Sequence, residues 1–299
     1  MLFEFGVEPN LITTWKDFRY FVEGFGVPNG RLISRFPLRW KRMVYDAIPR
    51  ATGDVERKKI EEGLVGIDNK LMKSGRAYEP AQDWLSNAEG SHAITPFRAV
   101  LSTTNPRNQA FILQGDNVKD SNPLWKVPTR DVVNRDANHM ASKVAQLLRL
   151  SNRVVFIDPH FDSRELRFRR PLLAFVEAAK RSDGSYPTTI ELRSGTPGTP
   201  MWFEGLCRAN LPNWIPVGID IAITILEEQA GGEKLHNRYI LTDIGGVKFG
   251  IGLDEGDPGQ TDDIDLLDEN QYQQRWQQYC SPAPAFTTHP SFTIRGIYR

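Results

Sequence analysis

Apolar residues near the start of the chain recur at helical spacing. Trp15, Phe18, Tyr20, Phe21 and Phe25 fall close to one face, and Gly24, Gly26, Pro28 and Gly30 end the run. The same pattern predicts helices over Pro37–Ala47, with Leu38, Met43 and Val44 apolar, and over Val55–Leu71. From Ser86 the runs shorten. Phe97–Leu101 and Ala110–Leu113 read as strands about an Asn105-Pro106 turn. Asp116–Pro128, rich in Asn, Asp and Pro, reads as a loop and a domain boundary.

Beyond that loop the rhythm sharpens. Asp131–Leu150 reads as a helix burying Val132, Val133, Met140, Val144, Leu147 and Leu148. Arg153–Ile157 is a strand, and Pro171–Lys180 a helix with proline in its first turn. Thr188–Leu192 is a strand, Trp202–Ala209 a helix and Ile219–Leu226 a β-branched strand. Tyr239–Leu241 and Val247–Ile251 flank Ile244-Gly245-Gly246, the composition of a hairpin with a glycine turn. Asn270–Tyr279 closes the unit as a polar helix. Strands alternating with helices predict the α/β class: a mixed β-sheet flanked by helices over 129–299, preceded by a mainly helical N-terminal region over 1–128.

Charge changes the picture locally and not globally. With 37 basic and 37 acidic residues the net charge is zero, so no overall field recruits a polyanion. Arg31–Lys59 is nonetheless basic and Asp254–Glu269 carries only acids. The basic run suits either a phosphate backbone or a solvated face. Cys207 and Cys280 form no disulfide or zinc pattern and read as small buried residues. The N-terminus lacks a basic, apolar leader, and no window approaches the roughly 18 apolar residues of a membrane span. The expectation is a cytoplasmic protein with no membrane association.

Candidate chemistry gathers between Lys234 and Glu255. His236 and Arg238 are two apart in an alternating run, hence on one face, and Asp243 follows near the turn. An imidazole beside a fixed cation and a carboxylate provides a nucleophile or base, a neutraliser of phosphoryl oxygens and an orienter for the ring. His160 and Arg193 follow the ends of strands, where sites collect in α/β sheets. His160 is a candidate proton donor and Arg193 a candidate anion ligand. Each residue also has a structural reading: a satisfied strand histidine, an arginine pairing with Asp243, a turn cap. No Ser-His-Asp, Walker or metal-ligand spacing appears, so neither metal nor cofactor is expected.

The spacing of His236, Arg238 and Asp243 resembles the HxKxxxxD signature of the phospholipase D superfamily, with Arg238 in the place of lysine. Asp158-Pro159-His160-Phe161 resembles the turn that follows the family's opening strand, and the element order over roughly 150–280 is similar to one repeat of its fold. Gly250-Ile251-Gly252-Leu253 lacks the serine and asparagine that the family uses, and Asp254 and Glu255 repel a phosphodiester unless neutralised. The resemblance implies a metal-independent phosphodiesterase, a nuclease acting through a phosphohistidine on His236. Asp243 would orient the ring, Arg238 and Arg193 would hold phosphate, and His160 would protonate the leaving group. The family joins two such motifs, which implies a homodimer or a degenerate partner around Phe97–Leu113, with nucleic acid as substrate. The alternative is an inactive module of this fold that binds phosphate-bearing ligands or mediates assembly.

Overall fold

The computed structural model describes residues 1–115 and 118–298. The chain divides into two compact units, Leu2–Pro128 and Thr129–Arg299, the second taking in Met1.

The first unit is itself α/β, which corrects the mainly helical expectation. Its elements are β1 (Phe3–Val7), α1 (Trp15–Glu23), β2 (Arg31–Ser34), α2 (Trp40–Ala47), α3 (Asp54–Gly66), β3 (Leu71–Met72), α4 (Trp84–Ile94), β4 (Ala99–Ser102) and β5 (Ile112–Gln114). The strands form one sheet in the order β3-β2-β1-β4-β5, with every neighbouring pair parallel. Neither β1 nor β2 alternates, because the middle strands of a parallel sheet are covered on both faces. Phe5, Val7, Leu32 and Ile33 are all buried.

The predicted helix over 15–25 forms as α1. Its N-terminus is a reciprocal capping box between Thr14 and Asp17, and Phe18, Phe21 and Val22 join the core. The predicted helix over 55–71 stops earlier, at Gly66, and Leu71 opens β3 instead. Of the predicted loop over 116–128, Asp116 and Asn117 lie outside the described residues. The rest carries no helix or strand, and its Trp125 packs edge-on to Phe5 and Phe25 in the core.

Strand order reverses between β1 and β4, the place where open α/β sheets leave a crevice. Here a buried carboxylate ties the two strand ends together. Glu8 accepts hydrogen bonds from Ser102 Oγ at 2.7 Å, Thr103 N at 2.7 Å and Thr103 Oγ1 at 2.9 Å.

The second unit contains β6 (Arg130–Asn134), α5 (Ala137–Leu150), β7 (Arg153–Ile157), α6 (Leu166–Ala178), β8 (Thr189–Ser194), α7 (Pro200–Asn210), β9 (Asp220–Glu227), β10 (Arg238–Thr242), β11 (Gly245–Phe249), β12 (Thr261–Leu266), α8 (Glu269–Cys280), β13 (Thr287–Thr288) and β14 (Phe292–Arg295). Its sheet runs β13-β9-β8-β7-β10-β11-β12-β6, with β14 also on β9. β7, β8 and β9 are parallel and the other pairings antiparallel, so the sheet is mixed, as the alternation of elements predicts.

Alternation within the strands feeds two layers. Val155, Ile157, Tyr239 and Leu241 form a cluster with Tyr272 and Tyr279 of α8. Phe156 and Phe249 point the opposite way and pack on Phe175 of α6.

Three local expectations change. Arg130–Asn134 is strand rather than helix: Val133 is buried, Val132 is 58% exposed, and α5 begins only after its Asp136 cap. The hairpin turn is Asp243-Ile244, because Thr242 pairs with Gly245, so the glycines lie in β11. Pro171 lies inside α6, which starts five residues before it, at Leu166. The missing N–H frees the Arg167 carbonyl, and the backbone N–H of Glu255 satisfies that oxygen at 2.9 Å.

Candidate functional site

The site is built at one end of the sheet, where β7 stops and β10 starts. Tyr239 pairs with Ile157, so the next step places Arg238 opposite Asp158. Asp158 shapes the chain there: its Oδ1 accepts from the His160 N–H at 3.0 Å and its Oδ2 from the Leu253 N–H at 3.3 Å. The Asp-Pro-His-Phe turn is thus an aspartate-held turn, fastened to the segment after β11. Burial pushes the Asp158 carboxyl above the usual range. Nearby Asp254 adds to that shift, while the two N–H donors and Arg238 oppose it.

Asp254 and Glu255 do not confront a ligand with bare charge. Asp254 Oδ1 lies 2.8 Å from Arg135 Nη2 and its Oδ2 lies 3.3 Å from Arg167 Nη1. Glu255 accepts from the Ala137 N–H at 3.2 Å and lies 3.4 Å from Arg170. Arginines in the first turn of α6 oppose the helix dipole, so these acids are the local counter-charge. The reading from sequence misses Arg135, Arg167 and Arg170 as partners. The signal for two of them was Arg167-Phe168-Arg169-Arg170, an unusual run for a helix start.

Arg238 is half-buried. Its Nη1 donates to the His236 carbonyl at 2.8 Å, whereas its Nε is buried without a hydrogen-bond partner. A guanidinium offers five donors, and here they are not exhausted.

His236 is exposed and precedes β10 rather than alternating within it. His160 is also exposed, on the turn after β7. Neither imidazole has a hydrogen bond or ion pair among the described residues. The structure therefore brings His236, Arg238 and His160 to one sheet end.

It does not bring Asp243 or Arg193 to them in usable form. Asp243 sits at the other end of β10, five extended residues or roughly 16 Å from Arg238, so it cannot orient His236. Its carboxylate accepts from the N–H groups of Asn152 at 3.0 Å and Arg153 at 3.2 Å. Arg193 is spent on Glu191 at 2.7 Å and on the Tyr279 carbonyl. Glu191 also pairs with Arg153 at 2.6 Å. Burial opposes ionisation of Glu191, but the two guanidiniums outweigh it and hold the carboxyl below its usual range.

Among the described residues no group of three or more His, Cys, Asp or Glu is placed to hold a metal ion. No helix among them is long and apolar enough to cross a membrane. In the basic run of the first unit, Arg31, Lys41 and Arg42 pair with Asp120, Asp68 and Asp46. Compared with known proteins, the chain matches no family model and no curated protein.

Proposed function

We propose that the unit Thr129–Arg299 is a phospholipase D-like module that binds a phosphate-bearing ligand at the β7–β10 sheet end without cleaving it. The observation that carries this reading is the half-buried Arg238 guanidinium, whose hydrogen bonding among the described residues stops at the His236 carbonyl, beside acids that Arg135, Arg167 and Arg170 already neutralise. An oxyanion there gains charge-assisted hydrogen bonds from a planar fork suited to phosphate. The rings of His236 and His160 would add N–H donors at the rim. Against turnover, no carboxylate among the described residues orients either imidazole, as a nucleophilic or proton-transferring histidine ordinarily requires. A nucleic-acid strand is a fitting ligand, since every nucleotide brings the required phosphate. The buried thiols of Cys207 and Cys280, each pushed up to about 12 by burial, suit the reducing cytoplasm.

One observation favours a second reading, the phosphodiesterase. Continuing the β7–β10 register leads to His236 on one chain segment and His160 on the other, two imidazoles at a single sheet end. In that reading a homodimer would supply a second His236.

Titration with inorganic phosphate and labelled single-stranded DNA and RNA, in EDTA, separates the two. Binding that Arg238→Ala weakens, with no cleavage, supports the binding module. Cleavage that survives the chelator and disappears in His236→Ala replaces it with the enzyme. Full affinity in Arg238→Ala removes the pocket from both.

A further inference from the structure

Directly beside this sheet end lies a cavity of about 410 Å³, between the C-terminal ends of β7, β8 and β9 and helix α7. It shares His160 with the candidate site, and Leu235, which also lines it, precedes His236. The loops after β7 and β8 close tightly here. A Cβ on Gly195 would stand 2.9 Å from the Pro159 carbonyl oxygen and 3.3 Å from Leu235 Cδ2.

The walls are apolar and aromatic, from Phe161, Trp202, Phe203, Leu206, Leu226 and Leu235. Its acids are already partnered, two of them by cations and the third by a histidine ring. Asp162 pairs with Arg164 at 2.7 Å, Glu228 with Lys234 at 2.7 Å, and Glu227 lies 3.1 Å from the His289 ring. Of the polar side chains in the lining, the His160 ring at the mouth and the Ser163 hydroxyl in the wall have no hydrogen-bond partner among the described residues. Ser163 is 1% exposed and its Oγ has no hydrogen-bond partner. Its polar neighbour is the Cys207 thiol, a weak hydrogen-bonding group.

An aliphatic chain would fill this volume but leave the Ser163 hydroxyl unserved. A planar heteroaromatic ring satisfies both demands, with an apolar face for Trp202 and a polar edge for the hydroxyl. We infer that the cavity is the subsite for a nucleobase whose phosphate occupies the Arg238 site, so that the ligand unit is a nucleotide. This inference rests on the phosphate-binding reading. Apolar walls with a few convergent polar groups, at this volume, are the usual make-up of a small-molecule site. Trp202 is 41% exposed and the Arg164 guanidinium stands over its ring at 5.3 Å, so an incoming base stacks by displacing that guanidinium or on ring surface it leaves uncovered.

The test is calorimetric titration of the full chain with inorganic phosphate, ribose 5-phosphate, AMP and adenosine. AMP should bind about tenfold or more tighter than ribose 5-phosphate, the scale of one stacked base. Trp202→Ala should bring AMP back to the level of ribose 5-phosphate and leave ribose 5-phosphate unchanged. Ser163→Ala, a smaller change, should lower AMP affinity alone. Equal binding of AMP and ribose 5-phosphate, both weakened by Arg238→Ala, overturns the base subsite and spares the phosphate site. Adenosine binding that Trp202→Ala abolishes, with no effect of phosphate or of Arg238→Ala, keeps the ring site and overturns its link to phosphate. If none of the four ligands binds, both readings fall.

Discussion

Arg238 and Asp158 stand opposite one another one step beyond the last paired residues of β10 and β7. Their charges feel each other, yet the hydrogen bonds that Asp158 accepts come from the backbone of His160 and Leu253, one to each oxygen. The carboxylate therefore shapes the turn and leaves Nε of the guanidinium unbonded. On the proposed reading, this strand-end arginine is the group that meets the anion.

Replacing Arg238 by alanine should weaken inorganic phosphate binding by about tenfold to a hundredfold, the value of one or two hydrogen bonds to a charged group. Arg238→Lys should retain part of the affinity, since it keeps the charge and loses the fork. Calorimetry measures both. Thermal melts should show a modest loss of stability, because the variant breaks the bond to the His236 carbonyl and removes the cation that faces buried Asp158.

Asp254→Ala should destabilise the second unit by about 3–5 kcal/mol, because it strands the nearly buried Arg135 guanidinium. Removing both partners, as in Arg135→Met with Asp254→Leu, should cost clearly less than Asp254→Ala alone. Urea unfolding of the parent protein, Arg135→Met, Asp254→Leu and the double variant closes the double-mutant cycle. A loss in the double variant equal to the sum of the two single losses would show that the pairing carries no coupling.

In the first unit, Glu8→Ala leaves the hydroxyls of Ser102 and Thr103 and the Thr103 N–H without their acceptor. The expected loss is about 2–3 kcal/mol, in the range of a hydrogen-bonded charge removed from a buried network. Hydrogen exchange should report faster opening of β1 and β4 in the variant than in the parent protein.

Glu191 supplies a pH test. Its carboxyl is held below the ordinary value of 4.5, so the native state binds fewer protons there than the unfolded chain. Its contribution is therefore complete above about pH 4.5 and fades as pH falls through the depressed native value. The stability gap between the parent protein and Glu191→Gln should be constant at neutral pH and shrink on acidification within that window. A gap that widened toward low pH would contradict the assignment.

Local patterns settled much of the second unit from sequence alone. Apolar alternation in Tyr239–Leu241 and the β-branched run 219–226 became β10 and β9, because an amphipathic or fully buried strand writes its period in adjacent residues. The helices α1 and α8 were equally legible from 3.6-residue spacing, whereas the capping box of α1 emerged only in the structure. The approach of His236 to Arg238 followed from two positions of sequence.

Tertiary structure decided what adjacent residues cannot encode. β1 and β2 are buried on both faces by distant helices, so their short runs carried no period to read. Pro171 is tolerated within α6 because Glu255, far along the chain, serves the carbonyl it frees. The charge at the site reversed its meaning for the same reason: Asp254 is repulsive in sequence and neutral in the fold, since Arg135 lies 119 residues away along the chain and 2.8 Å away in space. Asp243 shows the converse. Seven residues from His236 along the chain, it is carried by an extended strand to the opposite end of the sheet, where its carboxylate accepts from the backbone of Asn152 and Arg153.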